Sequence, residues 1–253
     1  MSDLLILGTH PHAVEMADIV ARINRVEQTW NLVGFVSANG DKVGEELAGC
    51  RVLDYRDALE RYPTALVVPE FDWPQKPEIP RQRLASLIDP GTFVSTTALI
   101  GLGCVIYPNC FVGAYAHIGD FLFCLSGSVI NHNDIIEDRV TLTSGTVIAG
   151  DVHVEADCYL GQSCTVREMV RIGRGSLIGM GCVVVRDVAP NSVMVGNPAR
   201  RLRAREPKYP GVRVVRAGRR VARKGVRTLY RAALSLRAKA DGATGTAGER
   251  LEM

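Results

Sequence analysis

Histidine is the residue type in this sequence best suited to take up a proton near neutral pH, as a general base must. The chain has five histidines: His10, His12, His117, His132 and His153. A lone histidine is more often a surface residue than a catalytic one. Which histidine could act as a general base therefore depends on the structural element that holds it.

A six-residue repeat runs through the centre of the chain. Stepping by six from Ile88 to Val184, 16 of 17 positions are Ile, Leu or Val, the exception being Cys124. Four residues after each of these lies a second column, in which 15 of 17 positions are Ala, Cys, Ser, Thr or Val. Two inward-facing columns in every hexad predict a narrow, prismatic β-solenoid with three short strands per coil.

The repeat predicts whether each side chain points into or out of the solenoid, including the cysteine and histidine side chains that could be reactive. Five of the seven cysteines fall in the column of small residues, and no two cysteines form a Cys-x2-Cys pair. We interpret them as small core residues rather than as nucleophiles or metal ligands. His132 is the third residue of its hexad, outside both inward columns, so its side chain is predicted to reach the outside of the solenoid.

Residues 1–85 lack the repeat and alternate between strand and helix patterns. The predicted strands are residues 4–7, 32–36 and 65–68, and the predicted helices are residues 14–23 and 56–61. This alternation predicts a small α/β unit with a parallel sheet. The turn after the first strand contains Gly8 and opens a helix, which is a geometry that could receive a phosphate.

Three segments carry a resemblance to a known family. Residues 8–13 read GTHPHA, residues 126–134 read SGSVINHND, and residues 195–200 read VGNPAR. These resemble the G-A-G-G-H-A, T-G-A-x-[IV]-x-H-[DE] and G-N-P-A-[KR] segments of hexapeptide-repeat sugar acyltransferases. Within that group, the order of parts resembles the sialic acid O-acetyltransferase and UDP-4-amino-sugar N-acetyltransferase type, over about residues 3–204.

The resemblance implies a mainly β fold, a left-handed parallel β-helix preceded by a small Rossmann-like α/β domain. It implies a homotrimer that binds acetyl-CoA, or another acyl-CoA, between neighbouring prisms, and a sugar or nucleotide-sugar acceptor. The predicted domains are an acceptor-binding domain over residues 1–85, the β-helix over 86–204 and a basic tail over 205–253.

The resemblance also implies roles for particular residues. His132 corresponds to the general base, Asn133 stands where the family usually has the carboxylate that orients the ring, and Asp134 follows one position later. The residues implied for binding acyl-CoA are Thr141, Gly150, Gly179, Met180, Gly196, Asn197 and Pro198. Those implied for binding the acceptor are Gly8, Thr9, His10 and His12.

Two departures from the family bear on the acceptor. Pro11 replaces a glycine of the turn and has no backbone N–H, so this loop does not cradle a phosphate in the family's way. Residues 35–38 read FVSA where the family has F-x-D-D.

Charge is divided unevenly along the chain. Residues 1–199 hold 14 Lys or Arg and 23 Asp or Glu, whereas residues 200–240 hold 15 Lys or Arg and one acid, Glu206. A nucleic-acid-binding core is therefore not predicted. Apolar residues at helical spacing over residues 215–236, with arginines on most of the other face, predict a basic amphipathic helix. We expect residues 211–240 to dock on an anionic membrane or a protein partner, or else to form a solvated helix packed against the solenoid, and residues 241–253 to be disordered.

Localisation and competing functions follow from the same observations. No apolar run approaches ~20 residues and no secretory signal is recognised, so we expect a cytoplasmic protein, with its tail able to reach the inner face of the membrane. A γ-type carbonic anhydrase is excluded because no two histidines are five residues apart, and no metal is expected. A non-catalytic scaffold for a glycan enzyme and an acyltransferase acting on a non-sugar such as serine remain as alternatives.

Overall fold

The computed structural model describes residues 1–74 and 76–205, which belong to one compact unit. The predicted basic tail, apart from Arg205, lies outside the described residues. Within the described part of the chain, no helix has the length and apolar character needed to cross a membrane.

The N-terminal part is an α/β domain built on a five-stranded sheet. Its elements in chain order are β1 (Ser2–Leu7), α1 (Pro11–Val26), β2 (Trp30–Ser37), β3 (Glu46–Leu47), β4 (Cys50–Asp54), α2 (Tyr55–Arg61) and β5 (Leu66–Pro69). The strand order is β3-β4-β2-β1-β5, and only β3 is antiparallel to its neighbour. A short hairpin of β3 and β4, with no helix in the described residues between β2 and β4, thus follows β2, and a Rossmann-like relationship stays a prediction.

Helix α1 forms where the sequence combines a favourable start with an apolar stripe. Pro11 occupies the first turn, where its missing N–H costs no helical hydrogen bond, and Arg25 lies in the last turn. Met16, Ile19 and Val20 share one face and are buried. That face packs in one apolar cluster with residues of the first β-helix coils.

After the short 3₁₀ turns Lys76–Glu78 and Arg81–Arg83, the chain winds into a parallel β-solenoid with three faces. The strands of the first face are Leu87–Ile88, Val105–Ile106, Phe123–Cys124, Thr141–Leu142, Tyr159–Leu160, Leu177–Ile178, Ser192–Val195 and the antiparallel Arg200–Ala204. Those of the second face are Phe93–Val94, Phe111–Val112, Val129–Ile130, Val147–Ile148, Thr165–Val166 and Val183–Val184. Those of the third face are Leu99–Ile100, His117–Ile118, Ile135–Ile136, His153–Val154 and Arg171–Ile172.

The solenoid core confirms the two inward columns of the repeat. Each strand pairs with the matching strand of the next coil, for example Val129 with Val147. The second residue of nearly every strand is buried among its counterparts from other coils, together with the small column that contains Cys104, Cys158 and Cys182. The parallel β-solenoid is therefore confirmed, while its left-handed sense stays a prediction.

The three faces differ in what covers their outer side. On the first face, Leu87, Val105 and Phe123 are buried in the same cluster as Met16 of α1, so the α/β domain covers the early coils. On the second face, Phe93 and Phe111 are exposed and stack on one another with their ring centroids 4.9 Å apart. The second face therefore presents an apolar surface outside the core.

Candidate functional site

His132 lies at a corner of the prism between the second and third faces. It follows the strand Val129–Ile130 and precedes Ile135–Ile136. Asn133 completes the tight turn with a left-handed φ of 61°, and its N–H donates a hydrogen bond to the carbonyl oxygen of Ala114 one coil earlier. The side chain of His132 is 60% exposed, so it reaches the outside of the prism as the repeat predicts.

Asp134 turns the other way, into the prism. It is fully buried, and its two carboxyl oxygens accept hydrogen bonds of 2.9 Å from the N–H groups of Asn131 and Val152. Burial raises the pKa of its carboxyl to about 7. Because Val152 belongs to the next coil, Asp134 joins two coils from inside the corner instead of contacting the ring of His132.

The ring of His132 is held on one side only. Its Nδ1 atom lies 3.2 Å from Nδ2 of Asn133 and 3.8 Å from Oδ2 of Asp151. In the part of the chain that the structure describes, Nε2 makes no hydrogen bond. This arrangement suits a general base, because one nitrogen is oriented while the other is free to take a proton.

Gly150 and Asp151 stack on His132 and Asn133, because they hold the same two positions in the next coil. The N–H of Asp151 donates to the carbonyl oxygen of His132 at 3.0 Å. A Cβ atom on Gly150 would lie 2.5 Å from Cε1 and 2.7 Å from Nε2 of His132, so any residue other than glycine would force the ring to move. Asp151 was not predicted from the sequence, although its position one coil after Asn133 is a signal for it.

A second corner, between the first and second faces, gathers most of the residues that the resemblance assigns to acyl-CoA. Met180 is 77% exposed there, and the N–H of the preceding Gly179 donates to the carbonyl oxygen of Met194. One coil further on, an exposed turn has Gly196 at a φ of 93° and a cis Asn197–Pro198 peptide bond. The N–H of Val183 donates to the carbonyl oxygen of Gly196. We call the two corners the His132 corner and the Met180 corner.

One protomer does not bring all the predicted residues together. The His132 corner and the Met180 corner lie at opposite edges of the second face. Thr141 lies on the first face, with its side chain 8% exposed. In a three-sided prism that face is opposite the His132 corner. Thr141 and His132 therefore lie on different sides of the solenoid.

Three of the four residues predicted to bind the acceptor line one cavity. Gly8, Thr9 and His10 border a cavity of about 170 Å³ at the end of β1. His12 lies outside it, with its ring edge-on to Tyr107 and Phe123 and its Nδ1 atom 2.9 Å from Oε2 of Glu15. His12 therefore packs between the α/β domain and the first face of the solenoid.

The cavity is acidic. Glu70 and Asp72, which follow β5, line it together with His10 and Asp41. The carboxyl group of Glu70 is buried, and burial, followed by the charge of Asp72, raises its pKa. A Cβ atom on Gly8 would lie 2.8 Å from Cβ of Glu70, which is why a glycine ends β1. Glu70 and Asp72 were not predicted from the sequence, although two acids so soon after a buried strand are a signal for a site.

Solved structures share this fold over about four fifths of the chain. The acetyltransferase domain of PglB from Neisseria gonorrhoeae is 21% identical, with a TM-score of 0.71 over 80% of this chain and 100% of that chain. PerB from Caulobacter crescentus, solved in complex with CoA and GDP-perosamine, is 23% identical, with a TM-score of 0.69 over 79% of this chain and 97% of that one. WeeI from Acinetobacter baumannii is 24% identical, with a TM-score of 0.67 over 80% and 100%.

Curated relatives match a shorter stretch. An acyl-[acyl-carrier-protein]–UDP-N-acetylglucosamine O-acyltransferase from Synechocystis is 31% identical over 88 residues, which is 35% of this chain and 32% of the relative. The enzyme of the same name from Pseudomonas savastanoi is 31% identical over 122 residues, 47% of this chain and 46% of the relative. The chain thus spans between about a third and a half of these relatives, and no family model matches it. What these comparisons establish is the fold, a parallel β-helix shared with acyl- and acetyltransferases.

Proposed function

We propose that the chain is an acyl-CoA-dependent acyltransferase that transfers an acetyl group to an amino or hydroxyl group of a sugar or nucleotide-sugar. The observation that carries this proposal is the geometry of the His132 corner. An exposed imidazole lies over Gly150, with Nδ1 beside Asn133 and Asp151 and with no hydrogen bond at Nε2 among the described residues. The relatives named above, which include an acetyltransferase domain and a CoA complex, support the choice of reaction class.

In this mechanism Nε2 of His132 removes the proton from the acceptor as its nitrogen or oxygen attacks the thioester carbonyl carbon. The tetrahedral intermediate collapses, the carbon–sulfur bond breaks, and the proton passes to the leaving thiolate. Nδ1 must then carry a hydrogen and needs an acceptor for it. Exchanging the oxygen and nitrogen of the Asn133 amide presents its oxygen at the 3.2 Å position, and the Asp151 carboxylate lies at 3.8 Å.

The catalytic assembly is a homotrimer in this proposal. A single prism separates the His132 corner from the Met180 corner by the width of the second face, so a site that uses both takes its residues from two protomers. The exposed stack of Phe93 and Phe111 on that face offers the apolar contact that such an assembly needs.

The acceptor site of the proposal is the cavity lined by Gly8, Thr9 and His10. Its acidic walls, contributed by Glu70, Asp72 and Asp41, distinguish it from a simple phosphate cradle. A sugar is favoured over serine because an α/β domain with its own cavity precedes the β-helix.

The test measures acetyl transfer and CoA binding separately. Acetyl-CoA is incubated with a panel of nucleotide-sugars and simple glycans, and free thiol is followed. His132→Ala should lower kcat by about 10²–10⁴-fold, the usual contribution of a general base, with little change in acetyl-CoA affinity by calorimetry. His117→Ala, which removes an exposed histidine of the third face, is the matched control and should keep full activity.

The scaffold alternative makes the opposite prediction in the same experiment. A non-catalytic scaffold would show no thiol release with any acceptor and no effect of His132→Ala. Failure of the folded trimer to bind any acyl-CoA would exclude the acyltransferase proposal.

A further inference from the structure

The acidic cavity of the α/β domain lies where sheets of this kind bind ligands. The chain passes from β1 through α1 to β2 on one side of β1 and later returns to β5 on its other side. The ends of β1 and β5 therefore form the point at which the strand order reverses. Crevices at the carboxyl ends of strands at such a point are the common ligand sites of parallel sheets.

Three side chains at these strand ends converge. Nδ1 of His10, after β1, lies 3.5 Å from Oε2 of Glu70 and 3.6 Å from Oδ2 of Asp72, both after β5. One ligand atom from each of the three lies within 4.8 Å of the others. A tetrahedral ion with bonds of about 2.1 Å holds its ligand atoms about 3.4 Å apart, so the three are already near metal-binding spacing.

Glu70 supplies an independent reason to expect a cation. Its side chain is 1% exposed, and neither carboxyl oxygen has a hydrogen-bond partner of normal geometry in the described residues, although the backbone N–H and the ring of His10 favour its charge weakly. A buried carboxylate without well-formed hydrogen bonds is costly, because water has been removed from the charge and weak contacts replace it only in part. The amine of Lys42, beside the same loop, donates to the carbonyl oxygen of Thr9 at 2.8 Å rather than to this carboxyl group.

We propose that His10, Glu70 and Asp72 bind a divalent metal ion of the Zn²⁺ or Mn²⁺ class at this cavity. One imidazole nitrogen and two carboxylates form a mixed set that suits these ions better than Mg²⁺ or Ca²⁺, which prefer oxygen ligands alone. The remaining coordination positions open into the cavity, because His10 and Asp72 are 59% and 40% exposed. This revises the expectation from the sequence that the chain has no metal site.

If the proposed function holds, the ion also explains how an acidic cavity accepts an anionic sugar nucleotide. Pro11 removes one backbone donor from the turn, and the carboxylates repel a phosphate group. A bound divalent cation offsets the charges of the two ligand carboxylates and offers open positions to phosphate oxygens.

The test is titration of the full chain, freed of metal by a chelator, with ZnCl2 and with MnCl2 by calorimetry. We expect one ion per protomer and a rise in Tm, since an ion that binds only the folded state stabilises it. Glu70→Gln and His10→Ala should each weaken binding by at least about 10-fold. Glu15→Gln is the matched control, because it removes the carboxylate beside His12 outside the cavity and should leave metal affinity unchanged.

Two outcomes would overturn the proposal. One is the absence of binding heat and of any Tm change with both ions at millimolar concentration. The other is a Glu70→Gln protein that binds the ion as tightly as the wild type. If Glu70→Gln does not fold, Asp72→Asn provides the same comparison at a half-exposed ligand. No acyl donor or acceptor is used, so a failure of the acyltransferase proposal leaves this result interpretable.

Discussion

The Nδ1 atom of His132 lies 3.8 Å from Oδ2 of Asp151, a residue on the next coil at the same corner. Asn133, the residue after the histidine, brings an amide to the ring but no charge. Asp151 occupies the position of Asn133 in the next coil. The stacking of coils thus places a carboxylate beside the ring of His132, although the residue after the histidine has none. At 3.8 Å the carboxylate makes no direct hydrogen bond, but its negative charge favours the tautomer that carries its hydrogen on Nδ1, which leaves Nε2 free to accept a proton.

Replacing that carboxylate should weaken catalysis without affecting acetyl-CoA binding. Asp151→Asn should lower kcat by about 10–100-fold and leave the KM for acetyl-CoA unchanged, since Asp151 lies beside the base and is not among the residues implied for binding acyl-CoA. Adding Asn133→Asp to this variant should restore much of the lost kcat. Asp187→Asn, two coils further along the same corner, is the control, because its carboxylate caps the N–H of Arg171. Equal kcat for wild type and Asp151→Asn would exclude a positioning role.

Gly150→Ala should displace the ring of His132. Gly150 is not among the residues with positive φ, so alanine fits the backbone, but its Cβ would meet Cε1 of the ring at 2.5 Å. A misplacement of about 1 Å costs roughly 100-fold in rate, and kcat should fall by that order.

The same substitution offers a test of the contact itself. Urea unfolding should show that Gly150→Ala destabilises the wild type more than it destabilises the His132→Ala protein, where the clash is gone. Equal costs in the two backgrounds would mean that the ring moves aside freely and that Gly150 does not position it.

Phe111→Glu should dissociate the proposed trimer. Phe111 is 39% exposed and stacks on Phe93, and a charge placed in a buried apolar contact is poorly tolerated. Sedimentation should show the trimer's dissociation constant raised by at least ~100-fold, with loss of acetyl-CoA binding. Val26→Glu, at an exposed apolar residue of α1, is the control and should not change assembly. A wild-type protein that is monomeric at micromolar concentration would contradict the two-protomer site.

Asp134 should make stability depend on pH. Burial raises the pKa of its carboxyl to about 7 in the folded chain, above the value of about 3.9 in an unfolded one. The protonated form is therefore favoured by folding, and its contribution is complete below about pH 4 and is lost as the pH rises through about 7. The loss amounts to at most about 4 kcal/mol.

Urea unfolding between about pH 4 and pH 8 measures this effect. The free energy of unfolding of the wild type should exceed that of Asp134→Asn by the largest margin at the acidic end, and the margin should shrink as the pH rises. A margin that grows with pH would mean that the hydrogen bonds from Asn131 and Val152 to the carboxylate outweigh its burial.

The solenoid could be predicted from the sequence because its period is strict. With a constant hexad and no insertion, each residue's direction follows from its position, since its neighbours hold the same position in the coils before and after it. This placed Cys104 and Cys158 in the core and His132 outside it. The hairpin of β3 and β4 escaped prediction because strands of two and five residues carry too little pattern of their own, and their pairing decides their structure.

The candidate sites depend on contacts between residues that neither the hexad nor the local sequence pattern predicts. His10 and Glu70 lie far apart along the chain and meet only because β1 and β5 are neighbours in the sheet. The hexad places Asp134 in the inward column and Asp151 at a turn, but only the structure shows that the Asp151 carboxylate lies beside the ring of His132.

Phe111 and Phe123 show the same division between sequence and tertiary structure. Both are the first residue of a two-residue strand, and both point away from the solenoid core. The sequence determines that outward direction, because the hexad sets it for each position. Only the tertiary structure decides that Phe123 is buried while Phe111 is exposed, since the α/β domain packs its apolar helix α1 on the first face and leaves the second face uncovered.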